Sequence, residues 1–253
     1  MKFWYINLDN ASERKEHIES EFKKHSYEYR RVEAIHYTTF EALVLHSLKN
    51  AREAACHNSH VKAIKEFINS NDKYGIICED DLSFDYKQYW KCNLEDLIKQ
   101  MPKDTGIVQL CSIYSRINID EDKIWHKQPH FFKWGTIPNV GSCAAYIITR
   151  ECAIELYDYY NFKIDKNRSN SVSIRENSSF SIKENCIIPP ADSSNGIYGN
   201  VNNYTNYIAY TYKYPMFTYR DNNDSQLGNC LNGQESSKRQ IMYYLRSDML
   251  NNK

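Results

Sequence analysis

Short apolar runs alternate with stretches of helical period along the first half of this chain. Met1 to Leu8 alternates bulky apolar residues and predicts a strand. Asp9 and Asn10 end it, and Ser12 with the charged run Glu13 to Glu16 opens a helix. Tyr27–Ile35 suits a second strand, and Thr38 with Glu41 has capping-box spacing ahead of Leu43, Val44 and Leu48. Asn58 or Ser59 is expected to cap a further helix that carries Val61, Ile64, Phe67 and Ile68. Gly75–Cys78 reads as a short buried strand, Leu94–Met101 as a helix ended by Pro102, and Gly106–Tyr114 as a β-branched buried strand. Gly141–Ile148 is a small-residue strand leading into a helix over Glu151–Tyr160.

The remaining pattern is less regular. Ile117–Lys127 is an acidic connection, Lys163–Lys183 a long polar loop, and Cys186–Ile188 a short strand before two prolines. A last helix begins at Ser236 with Ile241, Tyr244, Leu245 and Met249 on one side. The early β-α-β-α order with short, doubly buried strands predicts an α/β fold with a mostly parallel central sheet covered by helices. The expected division is a main domain over residues 1–220 and a C-terminal extension over 221–253, whose terminal helix packs on it.

Composition narrows the class. A chain of 253 residues with 42% hydrophobic content is enough for one sizeable core. Lys plus Arg and Asp plus Glu both number 32, so no global basic field points to nucleic acid. The eight cysteines lack zinc-ribbon or redox spacing, and Cys78, Cys111 and Cys143 read as buried thiols. "MKFWYINLD" enters a strand at once, so no signal peptide is expected, and with no apolar run of the roughly 20 residues needed to cross a bilayer a soluble, cytoplasmic protein is expected.

Candidate chemistry concentrates in "YGIICEDDLSF", residues 74–84, where three carboxylates follow a buried strand. Hard divalent cations prefer oxygen ligands, and Mn²⁺ or Mg²⁺ is commonly held by one or two carboxylates plus substrate phosphates. In an extended chain Glu79 and Asp81 project to one face and Asp80 to the other. The first pair could then hold metal while Asp80 meets a substrate group or a supporting partner. The plainer alternative is a turn of solvated acids. In open α/β sheets ligands gather beyond the carboxyl ends of strands, where "INLDN" and this triplet both fall.

Four segments in order, "WYINLDNASERKEHI", "ACHNSHVKAI", "YGIICEDDLSF" and "GSCAAYIITRECA", resemble glycosyltransferase family 25, which includes lipopolysaccharide and collagen galactosyltransferases. "PPAD" at 189–192 and "YPMFTY" at 214–219 resemble weaker C-terminal features of that family. Ala55 stands where the family usually has Gly, Asn10 where it has Arg, and Ser142 at a position often Ala. The resemblance implies a GT-A-like fold, a nucleotide-sugar donor (a UDP-sugar by analogy), a glycan or protein hydroxyl acceptor, and inverting transfer.

It also implies roles for individual residues. Glu79 and Asp81 become the metal ligands, with Asp80 beside them on the substrate. Asn7, Asp9 and Arg14 become donor contacts, with strand-end capping or a solvated arginine as their plainer readings. Ser59 and His60 would present a helix N-terminus to an anion, or serve as an N-cap and a structural histidine. Asp192 is the candidate base, or else a turn residue. All eight histidines precede residue 131, so a ligand from the C-terminal half would be Asp192 or an acid of the 221–224 stretch. A nuclease or phosphatase is disfavoured because "QLCSIY" adds no acid. A GT-A-fold binding or scaffold protein, or a donor hydrolase, is the alternative function.

Overall fold

In a computed structural model the described residues are 1–38, 48–114, 127–137, 140–166 and 196–220. A seven-stranded sheet runs through them, built from β1 (Lys2–Asn7), β2 (Glu28–Glu33), β3 (Tyr74–Glu79), β5 (Thr105–Gln109), β7 (Phe131–Lys133), β9 (Ala145–Thr149) and β10 (Ile208–Tyr212). Their order is β2-β1-β3-β9-β5-β10-β7. β1 pairs in parallel with β2 and β3, and β10 with β5, while β9 lies antiparallel between β3 and β5 and β7 antiparallel on the edge. Five strands thus point the same way, as the sequence predicts, and β9 and β7 make the sheet mixed. Short two-stranded ribbons pair β4 (Leu82–Ser83) with β11 (Thr218–Tyr219), and β6 (Ile113–Tyr114) with β8 (Val140–Gly141).

Alternation within each central strand divides the core into two layers. Phe3 and Tyr5 of β1, Ile76 and Cys78 of β3, and Ile147 of β9 face one layer, where helix α1 (Ser12–Lys24) adds Ile18 and Phe22. Trp4, Ile6, Ile77, Tyr146 and Ile148 face the other. That second layer is closed by helices α2 (Leu48–Ile68), α4 (Arg150–Lys166) and α5 (Ile197–Tyr204). Burial on both faces is why these strands read as unbroken apolar runs. A short α3 (Leu94–Gln100) starts at Asn93, whose side chain accepts from the Asp96 amide. β5 approaches α4 so closely that a Cβ on Gly106 would fall 2.5 Å from Cys152 Sγ and 2.7 Å from Tyr207 Cβ.

Several expected boundaries move. The predicted Gly106–Tyr114 strand splits into β5 and β6, and α4 continues through Lys166 into the start of the segment expected as a polar loop, the rest of which (167–183) lies outside the described residues. α2 runs through Asn58 and Ser59 without interruption, so no helix begins there. Ser59 sits inside the helix because its hydroxyl donates back to the Ala55 carbonyl at 2.7 Å. The predicted Gly141–Ile148 strand is broken at Ser142, which adopts φ 101°, a left-handed conformation rarely taken by residues with a side chain. Its carbonyl is held there by Gln109 Nε2 at 2.9 Å and the Tyr198 hydroxyl at 3.0 Å. Among the described residues no helix is long and apolar enough to cross a membrane, and none of the six described cysteines forms a disulfide. The capping box at Glu41, most of the Ile117–Lys127 connection, the Cys186–Ile188 strand and the 221–253 extension lie outside the described residues.

Candidate functional site

The parallel strands end on one edge of the sheet, and an open cleft lies there, where ligands of open α/β sheets gather. β1 delivers Ile6 and Asn7, β3 delivers Glu79, the first turn of α1 delivers Arg14, and α2 delivers Arg52, Cys56 and His60. A second recess beyond Leu8 and Ile35 is lined by Asp9, Asn10, Glu33 and Lys62.

The acidic triplet does not continue as a strand. β3 ends at Glu79, and Asp80 with Asp81 forms a turn before β4. The expected two-face alternation therefore stops at Glu79, and the three carboxylates diverge. Asp80 is buried and fully engaged: Asn7 Nδ2 donates to its Oδ2 at 2.7 Å, and Arg14 lies 3.3 Å from its Oδ1. Burial raises the Asp80 pKa, and Arg14 and the Asn7 hydrogen bond pull against that rise. Glu79 turns toward α2, with Oε1 3.3 Å from His60 Nε2.

Asp81 is the exception. Its Oδ1 is sealed from solvent and has no hydrogen-bond partner among the described residues. Burial, then repulsion from Glu79 and Asp80, pushes this carboxyl well above the ordinary aspartate range, and Arg14 offsets only part of that. The backbone of the same turn is tied down from far along the chain, because the Arg220 amide donates to the Asp81 carbonyl at 2.6 Å beside the β4–β11 ribbon.

The end of β1 is a relay of paired groups. Arg31 on β2 donates Nε to Asn7 Oδ1 at 2.9 Å and pairs with exposed Asp9 at 2.6 Å. That arginine draws the Asp9 pKa below its usual value. Asn7, almost wholly buried, thus links Arg31 to Asp80, and Asp80 in turn holds Arg14. Ser59 faces inward and accepts from the Ile35 amide at 2.8 Å, which anchors the end of β2 to α2. His60 is fully buried, its Nδ1 3.2 Å from the Tyr146 hydroxyl. The helix N-terminus expected at Ser59 and His60 is therefore replaced by mid-helix side chains. Asp192 and the 221–224 acids lie outside the described residues.

Three cations escaped the sequence reading. Arg31 carried no signal beyond its place at the end of a predicted strand. Arg52 lines the cleft with a buried Nε that has no hydrogen-bond partner among the described residues, and its guanidinium lies 5.2 Å from the Tyr37 ring. Arg220 reaches Glu13 at 2.5 Å. Their importance depends on long-range approach, which no local pattern carries.

The solved structure of a glycosyltransferase involved in the glycosylation of the major capsid of PBCV-1 is similar at 12% identity and a TM-score of 0.34, over 63% of this chain. The chain spans 66% of that structure's length, just short of two thirds. No curated protein matches the chain. Residues 1–168, which include Asn7, Arg14, Arg52, His60 and the whole acidic triplet, match glycosyltransferase family 25 (LPS biosynthesis protein), and the chain belongs to that family.

Proposed function

We propose that this chain transfers a hexose or N-acetylhexosamine from a nucleoside-diphosphate donor, a UDP-sugar, to a hydroxyl of a glycan or glycosylated protein, with inversion. The observation that carries it is the sealed Oδ1 of Asp81 at the strand ends, without a partner among the described residues, amid two further carboxylates and near Arg14. A buried anion without a partner is costly, and a cation is the natural complement. The oxygen-rich set suits Mn²⁺ or Mg²⁺, with Asp81 and Glu79 as its protein ligands. Held there, the ion would supply charge neutralisation for a diphosphate and for the nucleoside diphosphate that departs.

The remaining roles follow from the pairing pattern. Arg14, steadied by Asp80, supplies a charge-assisted donor for a phosphate oxygen. Asn7 and Asp9 keep that arrangement in register through Arg31, and Arg52 offers a second cation across the cleft. Ser59 and His60 support the wall of the donor pocket from inside α2. Asp192 is our candidate for the base that takes the proton from the acceptor hydroxyl, on the strength of the "PPAD" resemblance.

Donor binding and transfer, measured separately, test these assignments. Asp81→Ala should lose Mn²⁺-dependent UDP binding while staying folded. Asp192→Asn should bind donor normally and transfer it about a hundredfold to ten-thousandfold more slowly. Equal UDP affinity with and without Mn²⁺ in the wild-type chain would overturn the metal assignment. Release of free sugar with no acceptor dependence would make the chain a donor hydrolase.

A further inference from the structure

Glu79 also meets two side chains of α2 that the donor site does not use as metal ligands. Cys56 and His60 are four residues apart on α2 and so share one face of the helix. Cys56 Sγ lies 3.9 Å from Glu79 Oε1, and His60 Nε2 lies 3.3 Å from the same oxygen. The three potential ligand atoms all fall within 4.8 Å of one another. Thiol, imidazole and carboxylate together are a poor set for Mg²⁺ and a good one for Zn²⁺.

Two of the three edges come close to that chemistry, and the Cys56–His60 edge, bounded at 4.8 Å, closes as the thiol swings toward the ion. Tetrahedral Zn²⁺ with Zn–N and Zn–O near 2.05 Å has an N–O edge of about 3.3 Å, and with Zn–S near 2.3 Å an S–O edge of about 3.5 Å. The observed N–O separation matches the first edge. The observed S–O separation exceeds the second by about 0.4 Å, a small rotation of the Cys56 side chain. His60 Nδ1 is already held by the Tyr146 hydroxyl, so the ring is oriented with Nε2 toward Glu79. A partner on the far nitrogen is a usual support for a metal-binding imidazole. Cys56 and Glu79 are both half-buried and line the cleft, so an ion can enter and keep a water in the fourth position.

We propose that Cys56, His60 and Glu79 form a second cation site, selective for Zn²⁺ and similar borderline metals, that shares Glu79 with the donor-metal site. Binding expels the thiol proton and replaces the Glu79–His60 contact with metal bonds. The consequence for activity rests on the donor reading above: Zn²⁺ withdraws Glu79 from the carboxylates that hold Mn²⁺, and so acts as an inhibitor.

Co²⁺ reports the site directly, because a thiolate ligand gives Co²⁺ an intense near-ultraviolet charge-transfer absorption. Wild-type chain, first stripped with chelator, should develop that band with one equivalent of Co²⁺ and lose it on adding Zn²⁺. Cys56→Ser should abolish the band and weaken Zn²⁺ binding more than about tenfold, while Tyr146→Phe should keep the band and weaken binding about tenfold. Asp81→Ala should keep it unchanged. Circular dichroism in chelator checks that each variant is folded, and Tyr146→Phe serves should Cys56→Ser fail to fold. No band in the wild type, a band that survives Cys56→Ser, or Zn²⁺ affinity unmoved by Tyr146→Phe would overturn the proposal. Mn²⁺-dependent UDP binding on the same samples separates the two sites. If it persists without a cobalt–thiolate band, the second site fails and the donor reading stands. If the band forms but UDP binding ignores Mn²⁺, the second site stands alone.

Discussion

Replacing Asp81 with asparagine should make the metal-free protein more stable and the liganded protein less so. In the folded chain the Asp81 carboxylate is repelled by Glu79 and Asp80, and one of its oxygens is sealed from solvent without a hydrogen-bond partner among the described residues. A buried acceptor left unsatisfied costs about 1–3 kcal/mol, more when charged. Asp81→Asn preserves shape and removes the charge, so part of that penalty disappears. A gain of about 1–2 kcal/mol corresponds to about 2–8 °C in Tm for a chain of this size. With Mn²⁺ and UDP at a hundredfold excess over the dissociation constant, the wild type gains about 2.7 kcal/mol by linkage, and the variant little. Thermal unfolding in chelator and in Mn²⁺ plus UDP should therefore reverse the order of the two proteins. A variant that is less stable in chelator would refute the claim that Asp81 is held at a cost. An equal ligand-induced rise in both would refute its place at the metal.

Three other perturbations test the scaffold. Gln109 is fully buried and donates to the Gly141 and Ser142 carbonyls while accepting from Thr211 Oγ1. Gln109→Leu removes a donor from the Gly141 carbonyl and the acceptor of the Thr211 hydroxyl and should cost about 1–3 kcal/mol in urea unfolding. Gly106→Ala forces a methyl against Cys152 and Tyr207 and should destabilise by about 1–3 kcal/mol, visible as a lower Tm. His25, stacked on Phe84, has its pKa lowered first by burial and then by Lys87, with Glu21 opposing. Protonation is thus harder in the folded than in the unfolded chain. Its contribution is fully present above the ordinary histidine pKa of about 6.5 and is lost as pH falls through it. Between about pH 7.5 and pH 5 the wild type should lose more stability than His25→Gln.

The sequence revealed most where residues are buried on both sides. Phe3 to Ile6 and Ile76 to Cys78 carry no polar interruption because each side chain meets one of the two core layers, so strand and location were legible together. Strand direction was not. β9 is as apolar as β3, and nothing local tells that it runs the opposite way between β3 and β5. The acidic triplet was visible as charge, yet its turn geometry was not, since Asp80 and Asp81 leave the extended conformation that alternation assumes. Ser59 misled for a physical reason: the same hydroxyl that caps helices can bond back to its own helix, as it does to Ala55. The relay through Arg31 needs β2 lying beside β1, a pairing no short motif encodes.

The ribbon joining β4 to β11 sets an order of events during synthesis. The carboxylates emerge early, but the turn that bears Asp81 is fastened by Thr218, Tyr219 and the Arg220 amide, which emerge much later. A nascent chain that has completed β1 to β5 therefore holds its acids on an unfastened turn. The hydroxyl of Tyr219 meets Ser142 at 2.5 Å, so the same late arrival also braces the left-handed kink before β9. A chain stalled before residue 218 would carry the acidic turn without its fastening ribbon, so residues encoded about 140 positions later tie down the acids of β3 and its turn.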